Sequence, residues 1–261
     1  MNWDPSQYLK FEGERLRPAA DLLARIARAA PRVIVDLGCG AGNVARLLGE
    51  RWPDARIIGV DSSAAMLAKA RAATRGDSRF TFIEADLAAW MPEAPVDLVY
   101  SNAALHWLGD HEALFARVVA MVAMGGVLAV QMPDNFRAPS HTAIAEQARS
   151  PRWRAKLAAL VRDDPVAPAT RYFRWLAPQV SALDIWATEY LQVLPGTADG
   201  EHPVATWTKG TWLSPFLAAL DGAEQREFLA HYNERLAAAY PPLADGRVLF
   251  PFRRLFIVAN R

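Results

Sequence analysis

The stretch that most constrains this chain is residues 33–42, which read Val-Ile-Val-Asp-Leu-Gly-Cys-Gly-Ala-Gly. The β-branched run Val33–Val35 favours a buried strand. The alternating glycines permit positive φ and let a ligand approach the backbone closely. Residues 43–52 follow with a helical pattern, whose first turn offers free N–H groups. The stretch therefore predicts a strand, a loop and a helix that bind a nucleotide-like ligand.

Strand and helix patterns alternate around this loop. The predicted strands are 32–37, 55–60, 80–85, 96–101 and 127–132, and the predicted helices between them are 43–52, 63–74 and 111–124. The strands are nearly continuous apolar runs, which is typical of a parallel sheet covered on both faces. The alternation predicts a doubly wound α/β fold.

The pattern changes after Pro133. Residues 139–178 and 203–240 read as mostly helical, and strands are predicted at 182–194 and 247–259, giving seven strands in all. Two shorter helices are predicted near the start, one from Asp4 to Phe11 and one that begins at Pro18. We expect one domain over 1–261, with a lid at 1–30, a cofactor-binding half at 31–135, and helical caps at 136–180 and 197–245.

Composition narrows the class of protein. The 261 residues are 52% hydrophobic, enough for a sizeable core, and 29 Lys and Arg balance 28 Asp and Glu. This balance argues against a polyanion-binding protein. The single cysteine, Cys39, forms no internal disulfide, which fits a reducing cytoplasm. With no signal-peptide pattern and no apolar run of membrane-spanning length, the sequence predicts a cytoplasmic protein.

Three of the predicted strands have an acidic residue at their carboxyl end. In open α/β sheets ligands lie beyond the carboxyl ends of the strands. Asp61 lies 19 residues after Gly42, a spacing at which a carboxylate accepts hydrogen bonds from ribose hydroxyls. Asp86 could receive an adenine amino group, and Asp36 a ligand ammonium. Each could instead be a helix cap or turn acid, but three successive strand ends favour a binding site.

The glycine spacing separates two kinds of ligand. The dinucleotide fingerprint is G-x-G-x-x-G, whereas this chain has G-x-G-x-G followed by Asn43. An aspartate two residues before the first glycine suits a ligand with an amino group. Both observations favour S-adenosylmethionine. A nicotinamide-dependent oxidoreductase and a cofactor-binding protein without catalytic activity remain as alternatives.

At these residues the chain resembles the class I S-adenosylmethionine-dependent methyltransferases, which have a Rossmann-like fold. The matching segments are residues 35–43, 59–63, 84–87 and 97–102. The resemblance implies S-adenosyl-L-methionine as cofactor, S-adenosyl-L-homocysteine as product and no metal. It implies nine cofactor-binding residues: Asp36, Gly38, Gly40, Asp61, Ser62, Met66, Asp86, Leu87 and Asn102. Asn102-Ala-Ala-Leu replaces the Asn/Asp-Pro-Pro-Tyr/Phe motif of N-methylating relatives, which argues against a nucleic-acid substrate.

A narrower resemblance, to the trans-aconitate 2-methyltransferase family, extends over nearly the whole chain. It rests on residues 3–9, 15–19, 102–108, 128–135 and 254–259. It implies methylation of a carboxylate of trans-aconitate to a monomethyl ester. The alternatives are another small acid or an acyl-carrier-bound malonyl group. No nucleic acid, membrane or obligate protein partner is expected.

A carboxylate is already an anion at neutral pH, so we predict no general base. Arginine suits a polycarboxylate because its planar fork binds carboxylates bidentately. Arg253 and Arg254 are adjacent on a predicted strand and should face opposite sides, so that at most one reaches the site. The predicted acceptor contacts are Tyr8, Arg15, His106, Trp107, Arg171, Tyr172 and Arg254.

Overall fold

The computed structural model describes residues 12–27, 30–198 and 200–261. The predicted helix from Asp4 to Phe11 and the predicted contact Tyr8 lie outside the described residues, and so does the side chain of Arg15.

Seven strands form one sheet in the order β3-β2-β1-β4-β5-β7-β6. Their bounds are β1 Val33–Leu37, β2 Arg56–Asp61, β3 Phe80–Glu84, β4 Val96–Asn102, β5 Val122–Pro133, β6 Ala182–Leu194 and β7 Val248–Asn260. Strands β1 to β5 pair in parallel, and β7 pairs antiparallel to β5. The prediction of a doubly wound, mostly parallel sheet of seven strands is confirmed.

Ten α-helices occur in the described part of the chain: α1 Glu12–Ala24, α2 Asn43–Arg51, α3 Ala64–Ala73, α4 His111–Ala120, α5 Pro139–Arg149, α6 Arg154–Leu157, α7 Ala169–Leu176, α8 Pro203–Lys209, α9 Ser214–Ala218 and α10 Gly222–Ala239. No described helix is both long and apolar enough to cross a membrane. The predicted helices after β1 and β2 are confirmed to within one residue at each end.

Two helix boundaries were predicted wrongly. Pro18 lies inside α1 rather than at its start, and buried Ala19 and Leu22 follow it. Packing of this apolar face outweighs the hydrogen bond that proline removes. The helix predicted to reach Met124 ends at Ala120, because Val122 pairs with Val96 and so begins β5.

The long helical stretches predicted after Pro133 are interrupted. Between 139 and 178, α5, α6 and α7 are separate helices, and Pro165 and Pro168 lie in the break before α7. Between 203 and 240, α8 ends at Lys209 with Gly210 as its C-cap, and Asp221 is the N-cap of α10 in a capping box. The residues that end and cap these helices oppose one continuous helix.

The described residues divide into two compact units. The sheet unit comprises Gly13–Pro133, Pro165–Thr188 and Arg254–Arg261, and the helical unit comprises Asp134–Asp164 and Glu189–Arg253. Aromatic side chains fill the core of the helical unit, including Trp153, Trp207 and Trp212. The lid at 1–30 and the caps at 136–180 and 197–245 stay predictions.

Candidate active site

The glycine loop after β1 is fixed by hydrogen bonds to the end of β2. The N–H groups of Gly38 and Cys39 both donate to the carbonyl of Val60, at 2.8 and 3.1 Å. Gly40 N–H donates to Oδ2 of Asp61 at 2.9 Å. Gly38, Gly40 and Gly42 all have positive φ, as the sequence predicts. Hydrogen bonds to the end of β2 therefore hold the loop in place.

Gly38 also marks a close approach between two loops. A Cβ atom built on Gly38 would lie 2.1 Å from Cβ of Ala104, in the loop after β4, and 3.6 Å from Cδ1 of Leu87. The φ of Gly38 is +77°, in the left-handed region that side chains disfavour. Glycine at this position thus lets the ends of β1 and β4 meet.

Asp61 holds the loop on its other side. Its Oδ1 accepts from Ser63 N–H at 2.9 Å, while Oδ2 accepts from Gly40. The side chain is half-buried, and each oxygen keeps a second lone pair for a ligand hydroxyl. Ser62 is exposed beside it, and Ser63 caps α3 by accepting from the Met66 N–H.

Two further predicted residues follow β3. Asp86 is exposed, and its Oδ1 accepts from Ala88 N–H at 2.8 Å. Leu87 presents its side chain towards Gly38. Met66 is buried at the start of α3, and its Cε would lie 3.3 Å from a Cβ built on Gly40. Apolar side chains of α3 and of the segment after β3 thus border the glycine loop.

At this end of the sheet, two buried oxygen atoms lack a hydrogen-bond partner among the described residues: Oδ2 of Asp36 in β1 and Oδ1 of Asn102, the last residue of β4. Burial, and secondly the charge of Asp61, raise the pKa of Asp36 to about 8. Buried acceptors are ordinarily hydrogen-bonded. Hydrogen-bond donors of a ligand would satisfy these atoms, and a cationic donor would also favour the ionised form of Asp36.

These polar residues lie on one face of the sheet. Asp36 pairs with Tyr100, two residues before Asn102, and Asn102 pairs with Gln131 in β5. Because side chains alternate between faces, all four point the same way. The Tyr100 hydroxyl donates to the Ala19 carbonyl at 2.7 Å, so α1 covers this face.

The same face continues into β7. Pro133 pairs with Arg254, so Arg254 shares the face of Gln131, two residues before Pro133. Arg254 is 4% exposed, whereas Arg253 is exposed and pairs with Asp134. The prediction that the two arginines face opposite sides is confirmed.

His106 and Trp107 lie in a 3-10 turn, Leu105–Trp107, directly after β4. His106 is buried, Trp107 is partly exposed, and their ring centroids are 4.9 Å apart. The turn follows Asn102 and Ala104, so it belongs to the same end of the sheet. The acceptor roles of both residues stay predictions.

Tyr172 is fully buried in α7, where its hydroxyl is already engaged. Nε2 of His111 lies 3.2 Å from the Leu105 carbonyl, which can only accept, so Nε2 carries the proton. Nδ1 of His111 therefore accepts from the Tyr172 hydroxyl at 2.5 Å, and that oxygen accepts from Ala167 N–H. These bonds give Tyr172 a structural role in anchoring α7, and Arg171 beside it is exposed.

Gln131 and Ala104, which the structure places beside Asn102 and Gly38, were not among the predicted site residues. A signal for Gln131 is present, since it is the one polar side chain in the apolar run 127–132. For Ala104 no local signal exists, because its contact with Gly38 depends on the fold. No described group of three or more His, Cys, Asp and Glu residues is arranged as a metal site.

The chain resembles known methyltransferases. A family model described as a methyltransferase domain matches residues 34–126. A trans-aconitate 2-methyltransferase of Methylobacterium nodulans is 49% identical over 261 residues, covering 100% of this chain and 98% of the relative. A protein of the same name from Azoarcus is 47% identical, covering 99% of each chain.

A solved structure shares the fold. Phosphoethanolamine N-methyltransferase 2 of Haemonchus contortus, in complex with S-adenosyl-L-methionine, superposes with a TM-score of 0.59 at 17% identity, covering 98% of this chain and 56% of that one. The residues around the glycine loop fit such a cofactor, because the buried oxygens of Asp36 and Asn102 need a donor. The protein is an S-adenosyl-L-methionine-dependent methyltransferase, and by identity over its full length the chain belongs to the trans-aconitate 2-methyltransferase family.

Proposed function

We propose that this protein transfers the methyl group of S-adenosyl-L-methionine to a carboxylate oxygen of trans-aconitate, giving a monomethyl ester. The observation that carries the cofactor half is the pair of buried acceptors on Asp36 and Asn102, beside a glycine loop that Asp61 fixes. The acceptor half is supported by the name of relatives up to 49% identical.

We propose a role for each cofactor residue. Asp36 and Asn102 accept hydrogen bonds from the ammonium group of the methionine end. Asp61 accepts from the ribose hydroxyls with the lone pairs that Gly40 and Ser63 leave open. Asp86 accepts from the adenine amino group, with Ser62 nearby. Met66 and Leu87 supply the apolar border of the adenine, and Gly38 and Gly40 let the ligand lie against the loop.

The proposed reaction does not require the protein to remove a proton from the acceptor. The acceptor carboxylate has an ordinary pKa near 4, so it is an anion at neutral pH without a base. S-adenosyl-L-methionine, when bound, supplies a sulfonium-activated methyl group and leaves as a neutral thioether. The protein aligns the acceptor oxygen with this group and excludes water, and such positioning lowers a barrier by up to about 10 kcal/mol.

Ionised Asp36 is the proton-linked part of the site. Burial raises the pKa of its carboxyl to about 8, so at neutral pH the carboxyl must lose a proton before it can pair with an ammonium group. No side chain takes a proton from the acceptor in this mechanism. His106 is proposed as a hydrogen-bonding contact of the acceptor, and Trp107 as a packing contact.

The test is incubation with methyl-labelled S-adenosyl-L-methionine and a panel of di- and tricarboxylic acids. We expect base-labile label on trans-aconitate, inhibition by S-adenosyl-L-homocysteine, and no label without protein. Label on a different acid in place of trans-aconitate overturns the acceptor. Absence of label from every acid overturns carboxylate methylation, and calorimetry with S-adenosyl-L-homocysteine then tests the cofactor site separately.

A further inference from the structure

Two buried polar side chains beyond β4 are not among the proposed cofactor-binding residues. Gln131 in β5 is 0% exposed, and Arg254 in β7 is 4% exposed. Nη1 of Arg254 donates to Oε1 of Gln131 at 3.4 Å. A guanidinium and an amide at these depths are costly to bury unless hydrogen bonds satisfy them. The buried amide of Gln131 therefore needs a structural or a ligand-binding explanation.

The hydrogen bond fixes which way the amide points. Arginine has donors only, so the amide oxygen of Gln131 must face it. Nε2 of Gln131 is consequently turned away from Arg254. It is buried and has no hydrogen-bond partner within the described parts of the chain. A buried amide donor next to a guanidinium is a site for an anionic oxygen.

Strand register locates the pair relative to the cofactor residues. Asp36, Asn102, Gln131 and Arg254 share one face, on the neighbouring strands β1, β4, β5 and β7. The two members on β1 and β4 offer unpartnered acceptors, whereas Gln131 offers an unpartnered donor beside the Arg254 cation. The unpartnered groups on this face therefore change from hydrogen-bond acceptors on β1 and β4 to a donor on β5.

We infer that Gln131 Nε2 and the Arg254 guanidinium together bind one carboxylate of the methyl acceptor. The inference rests on the proposed function. Asp61 and the glycine loop belong to β1 and β2, so β5 and β7 lie on the far side of β4 from the ribose residue. Displacement at a methyl group requires the acceptor to approach from the side opposite to sulfur. A carboxylate held at β5 and β7 anchors the acceptor away from the nucleoside.

Two neighbouring arginines offer a matched test. Arg254→Lys keeps the charge and removes the planar fork, whereas Arg253→Lys makes the same change at the exposed neighbour that pairs with Asp134. We expect Arg254→Lys to raise KM for trans-aconitate by about tenfold or more, because a charge-assisted hydrogen bond to the acceptor is lost. We expect Arg253→Lys to leave KM within about twofold of the wild type.

Gln131→Glu provides a second variant. A carboxylate of the same size still accepts from Arg254, so the fold is retained, but the Nε2 donor is lost and a like charge faces the acceptor. We expect kcat/KM for trans-aconitate to fall by about 100-fold. The dissociation constant of S-adenosyl-L-homocysteine should stay within about twofold in both variants, which also reports that they are folded.

Calorimetric binding of trans-aconitate to the complex with S-adenosyl-L-homocysteine separates the inference from the proposed function. If wild-type protein binds the acid but does not methylate it, the proposed function is overturned. Acid binding by the Arg254 and Gln131 variants then still tests the pair. Variants that bind and methylate the acid like wild type overturn the pair while the function stands. Equal losses of acid and S-adenosyl-L-homocysteine binding, in variants whose melting temperature is unchanged, assign the pair to the cofactor carboxylate and overturn the acceptor role.

Discussion

The two sides of the ligand-binding end of the sheet hold their polar groups differently. On the β1–β2 side, backbone N–H groups of Gly38, Cys39 and Gly40 are already bonded to Val60 and Asp61. On the β4–β5–β7 side, Asn102 and Gln131 each keep a buried atom without a partner among the described residues. On the first side these backbone groups are satisfied within the protein, whereas the second side has a buried acceptor and a buried donor without partners among the described residues.

This difference matches what each side is proposed to bind. A neutral nucleoside needs shape and a few hydroxyl acceptors, which a preformed loop provides. Charged ends of ligands need strong partners, and a buried group that is satisfied only in the complex binds such an end selectively. Asp36 lies in β1 but resembles the residues of the β4–β5–β7 side. Its buried Oδ2 has no partner within the described structure, and its pKa is raised.

The largest expected effect is on the preformed loop. Gly38→Ala places a Cβ atom 2.1 Å from that of Ala104 at a φ of +77°, so the ends of β1 and β4 must separate. We expect binding of S-adenosyl-L-homocysteine to weaken by more than about 100-fold and the melting temperature to fall by several degrees. Calorimetry and thermal unfolding measure the two effects.

Gly76→Ala is the matched control. Gly76 has a φ of +88°, yet a Cβ there meets nothing within 4 Å. This variant bears only the left-handed strain of about 1–2 kcal/mol and should bind S-adenosyl-L-homocysteine as the wild type does. Equal stability losses in the two variants would show that the contact with Ala104 is unimportant.

The next effect is on Asp61. Asp61→Ala removes the acceptor for Gly40 and Ser63 together with the proposed ribose bonds, so we expect binding about 30-fold weaker, or about 2 kcal/mol. Asp97→Ala removes a carboxylate that accepts from two backbone N–H groups, those of Arg32 and Val33, at the amino end of β1. Comparable loss of ligand affinity in the Asp97 variant would contradict a specific role for Asp61.

The next prediction is that the affinity for S-adenosyl-L-homocysteine depends on pH through Asp36. Burial raises its pKa to about 8, so binding of an ammonium group below pH 8 must release its proton. Affinity for S-adenosyl-L-homocysteine should therefore rise about tenfold per unit between about pH 6 and pH 7.5. Calorimetry in two buffers of different ionisation enthalpy counts the proton, and Asp36→Asn should release none.

The same group affects stability in the opposite direction. The unfolded carboxyl ionises near its usual pKa of 3.8, well below the folded value of about 8, so the folded state holds the proton more tightly. The stabilising contribution is complete below about pH 4 and is lost as the pH rises through about 8. If Asp36→Asn unfolds with the same pH dependence as wild-type protein, burial of Asp36 is not its cause.

Sequence could predict the first side of the site because its residues are close together in the chain. The strand Val33–Leu37, the glycines and the acid at Asp61 fall within 29 residues, and each has a local signature. Asp61 follows its strand directly, so the end of β2 could be located from hydrophobicity alone. The sequence accordingly predicted the positions of Asp36 and Asp61 at the ends of β1 and β2, and the order of strand, glycine loop and helix.

The second side depends on pairing between distant segments. Gln131 and Arg254 are 123 residues apart and meet only because β7 pairs antiparallel to β5. Nothing local specifies this register, and a shift by one residue would turn Arg254 to the other face. The same reason explains the error at Met124, where a strand pairing outside the local pattern replaced the predicted helix.

The smallest effect is expected at Asp86, whose substitution tests the proposed contact with the adenine amino group. Asp86→Asn keeps the Oδ1 that accepts from Ala88 N–H, so the local turn should survive, but it loses the charge proposed to face the adenine amino group. Because Asp86 is exposed, we expect S-adenosyl-L-homocysteine to bind only about threefold more weakly. S-inosylhomocysteine, which carries an oxygen in place of that amino group, is the control ligand. Wild-type protein should discriminate against it and the Asp86 variant should discriminate less. Equal discrimination by the two proteins would remove Asp86 from the adenine site and leave base recognition to Met66, Leu87 and the backbone.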